Sequence, residues 1–181
     1  MSSQRPPLET VTVDAVYRAH FAFVWRILRR LGVRDADLED VTQEVFMVVH
    51  RRLDVFDQDR PIRPWVAGIA HRVALAERRR ARHRREQLSE GVTRGDRPAT
   101  DPSPEALAVL RQRRARVFAA LDTLEDTRRV VFVMYEMENI PCTEIARALE
   151  IPVNTVYSRL RLARERFKAA LARLRLQRGE A

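Results

Sequence analysis

Residues Cys142–Phe167 read CTEIARALEIPVNTVYSRLRLARERF, and they divide into a helix, a tight turn and a second, longer helix. The first helix is expected over Thr143–Leu149, the turn over Glu150–Pro152, and the second helix from Val153 onward. Two helices joined by so short a turn make a helix-turn-helix, with Ile145, Ala146, Leu149, Ile151, Val156 and Leu160 spaced to form its shared core. Alanine at position 146 suits a close helix crossing. The second helix keeps one apolar stripe through Val156, Leu160, Ala163, Phe167, Leu171 and Leu174, at steps of three and four residues. Its opposite side carries Ser158, Arg159, Arg161, Arg164, Arg166 and Lys168, a face suited to phosphates and base edges.

Upstream of this unit the same helical period persists. Arg128–Met137 is short and strongly apolar, with Val130, Val131, Val133, Met134 and Tyr135. Ser103, Pro104 and Glu105 make a helix start: a capping hydroxyl, a proline in the first turn and an acid near the positive end of the helix dipole. Leu107, Leu110, Val117, Phe118 and Leu121 are expected to line that helix's inner face, and Asp122–Asp126 interrupts it. Before it, Gln87–Pro104 holds three prolines and two glycines without apolar periodicity. This stretch reads as a flexible linker over 87–103, so 104–176 forms one helical module and 177–181 a tail.

The first half repeats the pattern with different chemistry. Residues 1–10 are expected to be disordered and 11–86 to form the other module. Tyr17, Phe21, Val24, Trp25, Leu28 and Leu31 mark an amphipathic helix, started by Thr12 or Asp14 and stopped by Gly32. Asp35 or Asp37 can cap a second helix built on Leu38, Val41, Val45, Val48 and Val49 and running to Leu53, with Asp40, Gln43, Glu44 and His50 opposite. After a loop around Phe56–Pro64, Trp65, Ile69, Val73 and Ala76 define a third helix. It runs into Arg72, Arg78, Arg79, Arg80, Arg82, Arg84 and Arg85, opposed only by Glu77 and Glu86. A solvated helix face or a polyanion-binding surface would both account for such a run; the imbalance of sign favours the second. No alternating strand pattern competes, and the fold class is all-α: two small helical domains joined by a linker.

Composition bounds the function. The net charge of +9 and a sequence pI near 11.1 favour a polyanionic partner. No 18-residue apolar run is present and MSSQRPPLET is unlike a signal peptide, so a cytoplasmic protein without membrane insertion is expected. Cys142, the one cysteine, leaves no internal disulfide and no cysteine-based zinc site, and reads as packing. There is no phosphate-binding glycine loop, zinc helix or nucleophile elbow, and His20, His50, His71 and His83 lack ligand spacing. The acidic group Asp35, Asp37, Glu39, Asp40 and Glu44 reads as capping plus a solvated or partner-binding face. Neither enzyme activity nor a metal or cofactor is expected.

Three stretches carry a family resemblance. DLEDVTQEVFMVVHRRL (Asp37–Leu53) is similar to an acidic D-x-x-Q-E/D-x-F polymerase-binding helix, RPWVAGIAHRVA (Arg63–Ala74) to a W-L-x-x-I-A-R-N promoter-melting helix, and EIARALEIPVNTVYSRLRLARERF (Glu144–Phe167) to the family's helix-turn-helix. In this order they resemble a bacterial RNA polymerase sigma factor of the extracytoplasmic-function type, in the sigma-70 family, which keeps only regions two and four. The resemblance implies that 11–86 is region two and 104–176 region four. Asp40, Gln43, Glu44 and Phe46 then occupy the positions that dock the coiled coil of the polymerase largest subunit, while region four meets the flap of the second subunit.

Promoter DNA, double-stranded and melted, is the second implied partner, and an anti-sigma factor the third. For the minus-ten element and strand melting the resemblance points to Phe56, Asp57, Arg60, Arg63, Trp65, His71, Arg72, Arg78 and Arg79. For the minus-thirty-five element it points to Asn154, Thr155, Ser158, Arg159 and Arg161, with Arg164 on phosphate. Trp65 has two readings, stacking on the opened strand or packing on the Ile69–Val73 stripe. Arg72 stands where the family often has Asn, and His71 where it often has Arg. The competing reading is a stand-alone helix-turn-helix transcription regulator.

Overall fold

The computed structural model describes residues 12–87 and 104–176. The expectations for residues 1–10, for the linker over 88–103 with the Ser103 cap, and for the tail lie outside the described residues, as do the side chains of Arg85 and Leu107. The described residues form seven α-helices and no strand: α1 (Val13–Arg30), α2 (Leu38–Arg52), α3 (Ile62–Gln87), α4 (Pro104–Asp122), α5 (Asp126–Phe132), α6 (Cys142–Leu149) and α7 (Val153–Leu176).

In α1 the start belongs to Thr12, whose Oγ1 accepts from the Ala15 N–H at 3.2 Å, while Asp14 pairs with Arg18 in the first turn. Gly32 ends the helix at φ +90°, a backbone that L side chains rarely adopt. Neither Asp35 nor Asp37 caps α2 through its side chain. They form a single 3₁₀ turn, and their carboxylates bind Arg29 at 3.0 Å and Arg34 at 2.6 Å.

The first core is made where Val24, Ile27 and Leu28 of α1 meet Val41, Val45 and Val49 of α2 and Val66, Ile69 and Ala70 of α3, all buried. α1 carries more large apolar side chains than one stripe can bury, and the core takes Val16, Phe23 and Ile27. Tyr17 and Phe21 stay 44% and 36% exposed, which corrects their placement on the inner stripe. They pack sideways on the Phe46 ring instead, with centroids 4.7 and 6.5 Å apart.

In the second half, Leu121, Leu124, Val130, Val131, Phe132 and Met134 form a core with Ile145, Ala146, Val156, Leu160 and Ala163. Leu110 is 49% exposed, against expectation, because the described burial on α4 lies near its C-terminal end at Ala120 and Leu121. Cys142 is buried, and burial pushes its thiol up, as a packing residue requires. The turn between α6 and α7 places Glu150 at φ +57°, where glycine would be unstrained. α5 does not stop at Phe132 but widens into a π-turn over Val133–Met137, with the Glu138 N–H reaching the Val133 carbonyl at 3.1 Å.

The two halves share one continuous core. α6 crosses α3 so closely that a Cβ on Gly68 would stand 2.5 Å from the Ala148 carbonyl oxygen. Arg129 of α5 is 1% exposed beneath Gly32 and donates from Nε to the Arg30 carbonyl at 2.6 Å and from Nη1 to Asp122 at 2.9 Å. A buried guanidinium is tolerable only with such partners.

Candidate nucleic-acid interface

On α7, Asn154, Ser158, Arg161 and Arg164 are exposed, and Thr155 and Arg159 are half-buried. Their spacing follows from the helix period: the stripe Val156, Leu160, Ala163 is buried, so the opposite side must face solvent. Ser158 Oγ donates to the Thr155 carbonyl at 3.0 Å, and Arg161 pairs with Glu165 at 2.8 Å. Arg164 is tied to Glu136 at 2.6 Å and lies over the Tyr135 ring at 5.3 Å, so the π-turn orients it. Arg159 instead lies on the side toward α3, where its charge acts on His71.

The expected minus-ten set divides in two. Phe56 and Trp65 pack ring to ring at 4.7 Å, both half-buried against the core, and Asp57, Arg60 and Arg79 are exposed. Trp65 therefore packs, while its outer edge still lines an open cleft of about 230 Å³ together with Arg60, Arg72, Arg147 and Glu150. The other members face α5, α6 and the π-turn. Arg63 donates to Glu138 at 2.7 Å, and Arg72 reaches the Ala148 carbonyl at 3.4 Å and Glu150 at 3.6 Å. Arg78 donates to the Leu31 carbonyl at 3.1 Å and to Asp126. His71 is half-buried beside them, and burial pushes its imidazole down to about 4; Asp126 opposes that shift, and Arg72 and Arg159 add to it.

Of the expected polymerase-docking set, Asp40 and Gln43 are exposed on α2, and Glu44 is held by Arg80 of α3 at 3.1 Å. Phe46 is 6% exposed and offers little direct surface; it braces the outward Tyr17 and Phe21.

Glu138 belongs to none of the sequence motifs. Its side chain is 1% exposed and receives Arg26 bidentately at 3.1 Å on each oxygen, Arg63 at 2.7 Å, and Arg30. Burial alone would raise this carboxyl, but hydrogen bonds from Arg26 and Arg63 and the charges of Arg26 and Arg30 outweigh burial and hold it below the usual carboxylate range. The one local hint is an acid set between the apolar Met137 and Ile140.

The family Sigma-70 region 2 matches residues 16–84, and Sigma-70, region 4 matches residues 114–167. The chain is 34% identical over 161 residues to the ECF RNA polymerase sigma factor SigE of Mycolicibacterium smegmatis, covering 88% of this chain and 62% of that relative. It is 30% identical over 139 residues to the ECF RNA polymerase sigma-E factor of Escherichia coli, covering 74% of this chain and 73% of that one. Among solved structures, the sigma factor RpoE in complex with the anti-sigma factor NepR from Bartonella quintana superposes with a TM-score of 0.70 at 16% identity, over 88% of this chain and 96% of that one. The chain thus spans less than two thirds of the length of the Mycolicibacterium relative.

Proposed function

Because this chain belongs to the extracytoplasmic-function RNA polymerase sigma factors of the sigma-70 family, we propose that it is the dissociable subunit that gives core RNA polymerase its promoter specificity. The observation that carries this is the order of two matched regions in one chain, region 2 over 16–84 and region 4 over 114–167. A stand-alone regulator would need no region 2, so that reading is not favoured.

The division of labour follows the surfaces. Asp40 and Gln43, exposed on α2, with the half-buried Glu44 beside them, offer an anionic face to a basic coiled coil of the largest subunit. The outer face of α7, with Asn154, Ser158 and Arg161, enters the major groove of the minus-thirty-five element, and Arg164 takes phosphate. The loop at Phe56–Arg63 and the adjoining α3 receive the minus-ten strand. Extracting a base costs a few kcal/mol, which stacking on the cleft edge at Trp65 and the nearby arginines can offset. The protein acts in the cytoplasm, where polymerase and chromosome are, and an anti-sigma factor is its regulator, as one is bound to RpoE in the solved Bartonella complex.

Reconstitution with core polymerase and run-off transcription tests the proposal. Specific transcripts are expected from a promoter mapped after overexpression, and Asp40→Ala with Glu44→Ala should abolish retention on core. If the wild-type chain is not retained on core even at low salt, the reading falls.

A further inference from the structure

Glu138 is the centre of an arrangement that the proposed function does not use. Three guanidinium groups converge on one carboxylate whose side chain is 1% exposed. All three belong to the first half of the chain, Arg26 and Arg30 on α1 and Arg63 on α3, whereas Glu138 arrives from the π-turn of the second half. Two of the arginines are gathered without it: Arg63 lies over the Phe23 ring at 4.6 Å and Arg26 at 6.0 Å from the same ring, which is itself 5% exposed, while Arg30 reaches across to the Met137 carbonyl at 3.2 Å. Without Glu138 these are three neighbouring positive charges, two of them seated on an aromatic anchor, the composition of an anion site. The π-turn is what aims the acid, since one extra residue in the turn carries Glu138 inward.

The same docking that seats Glu138 also occupies Arg72 with the Ala148 carbonyl and Arg78 with Asp126, and holds α6 against Gly68. Anionic or carbonyl oxygens of the second half therefore stand on three arginines of α3 that would otherwise face DNA.

We propose that Arg26, Arg30 and Arg63 form a phosphate site for the DNA backbone, and that Glu138 is an internal stand-in for that phosphate which keeps the free chain closed. Opening of the two halves withdraws the carboxylate and delivers the site. This rests on the proposed sigma-factor role for its DNA partner. Arg26 and Arg30 are the residues it adds to the DNA-contacting surface.

Two variants release the latch by independent routes. Glu138→Gln removes the charge that holds the arginines. Gly68→Ala leaves every charge in place, but the new methyl meets Ala148, whose carbonyl oxygen and carbon lie at 2.5 and 3.2 Å and whose Cβ lies at 3.3 Å. The same change raises helix propensity in α3, so it weakens docking without weakening the helix. Small-angle scattering of the full chain should show expansion for both variants. Anisotropy with a short fluorescent DNA duplex at low salt should show affinity at least about tenfold above wild type, the value of one charge-assisted contact. Adding Arg26→Ala and Arg30→Ala to Gly68→Ala should keep the expansion and remove a distinct part of the gain, the remainder belonging to the released Arg63, Arg72 and Arg78. If Glu138→Gln does not expand, Glu138 is not the latch; if the variants expand without a gain, or the gain is undiminished by loss of Arg26 and Arg30, these arginines are not the phosphate site. Retention of the wild-type chain on core polymerase, measured in parallel, reports on the sigma-factor reading separately, because it does not depend on the latch.

Discussion

Arg129 shows how much one side chain can decide. Its guanidinium is buried in a place where charge is costly, and it is held by the Arg30 carbonyl and Asp122 while Gly32 leaves it room. Arg129→Ala should lower stability by about 3 kcal/mol or more, since it opens a cavity and orphans a carbonyl. Arg129→Met fills the volume and should cost distinctly less, because Asp122 is 40% exposed and can turn to water. Gly32→Ala attacks the same spot from the other side, with a Cβ 3.0 Å from Arg129 Nη1 and a backbone at φ +90°, and should cost about 1–3 kcal/mol. Urea unfolding of the three variants checks the ranking. Within the first core, Ile27→Ala, at a fully buried position, should cost about 2–5 kcal/mol by the same measurement.

At the scale of elements, α7 and the loop before α3 carry separable predictions. Arg161→Ala should weaken binding to a mapped minus-thirty-five duplex by about 1–3 kcal/mol and leave a scrambled duplex nearly unaffected, whereas Arg164→Ala, at the phosphate position, should weaken both alike. Substitutions across 56–62, which leave Arg63 in place, should spare duplex binding and suppress permanganate reactivity of the promoter bubble; a bubble that survives them would remove the loop from its proposed role. The elements were legible because their cores are periodic: the stripe Val156, Leu160, Ala163 and the turn at Glu150–Pro152 needed only local spacing. Periodicity marks an apolar face but not how much of it finds a partner, which is why Tyr17, Phe21 and Leu110 were expected inside and lie outside. The π-turn was not legible, because Val133–Met137 satisfies a helical pattern whichever ring size its hydrogen bonds close. Glu138 was hidden for a different reason: its partners lie 75 to 112 residues away, and no local pattern encodes so distant a pairing.

For the whole molecule, the question is what sets the balance between the docked halves and an opened chain, and His71 makes that balance depend on pH. In the docked state the imidazole sits at about 4 against an ordinary 6.5, with Asp126 of α5, Arg72, Arg78, Arg129 and Arg159 around it. A histidine with a depressed value binds fewer protons docked than free, so docking keeps its full strength above the ordinary value and loses it progressively as pH falls toward about 4. Between about pH 7.5 and about pH 5 the ratio of docked to opened chain should fall about 30-fold. Glu138 does not confuse this window. Its carboxyl is also depressed, so its contribution is present above the ordinary carboxylate range and is lost only at more acid pH. Hydrogen exchange of the α3 amides around Gly68, corrected for intrinsic rates, reads the opening equilibrium directly. Protection should drop steeply across that window in the wild type and much less in His71→Gln. An equal drop in both would mean that the imidazole does not control the docking of α6 on α3, and that acid acts elsewhere in the interface.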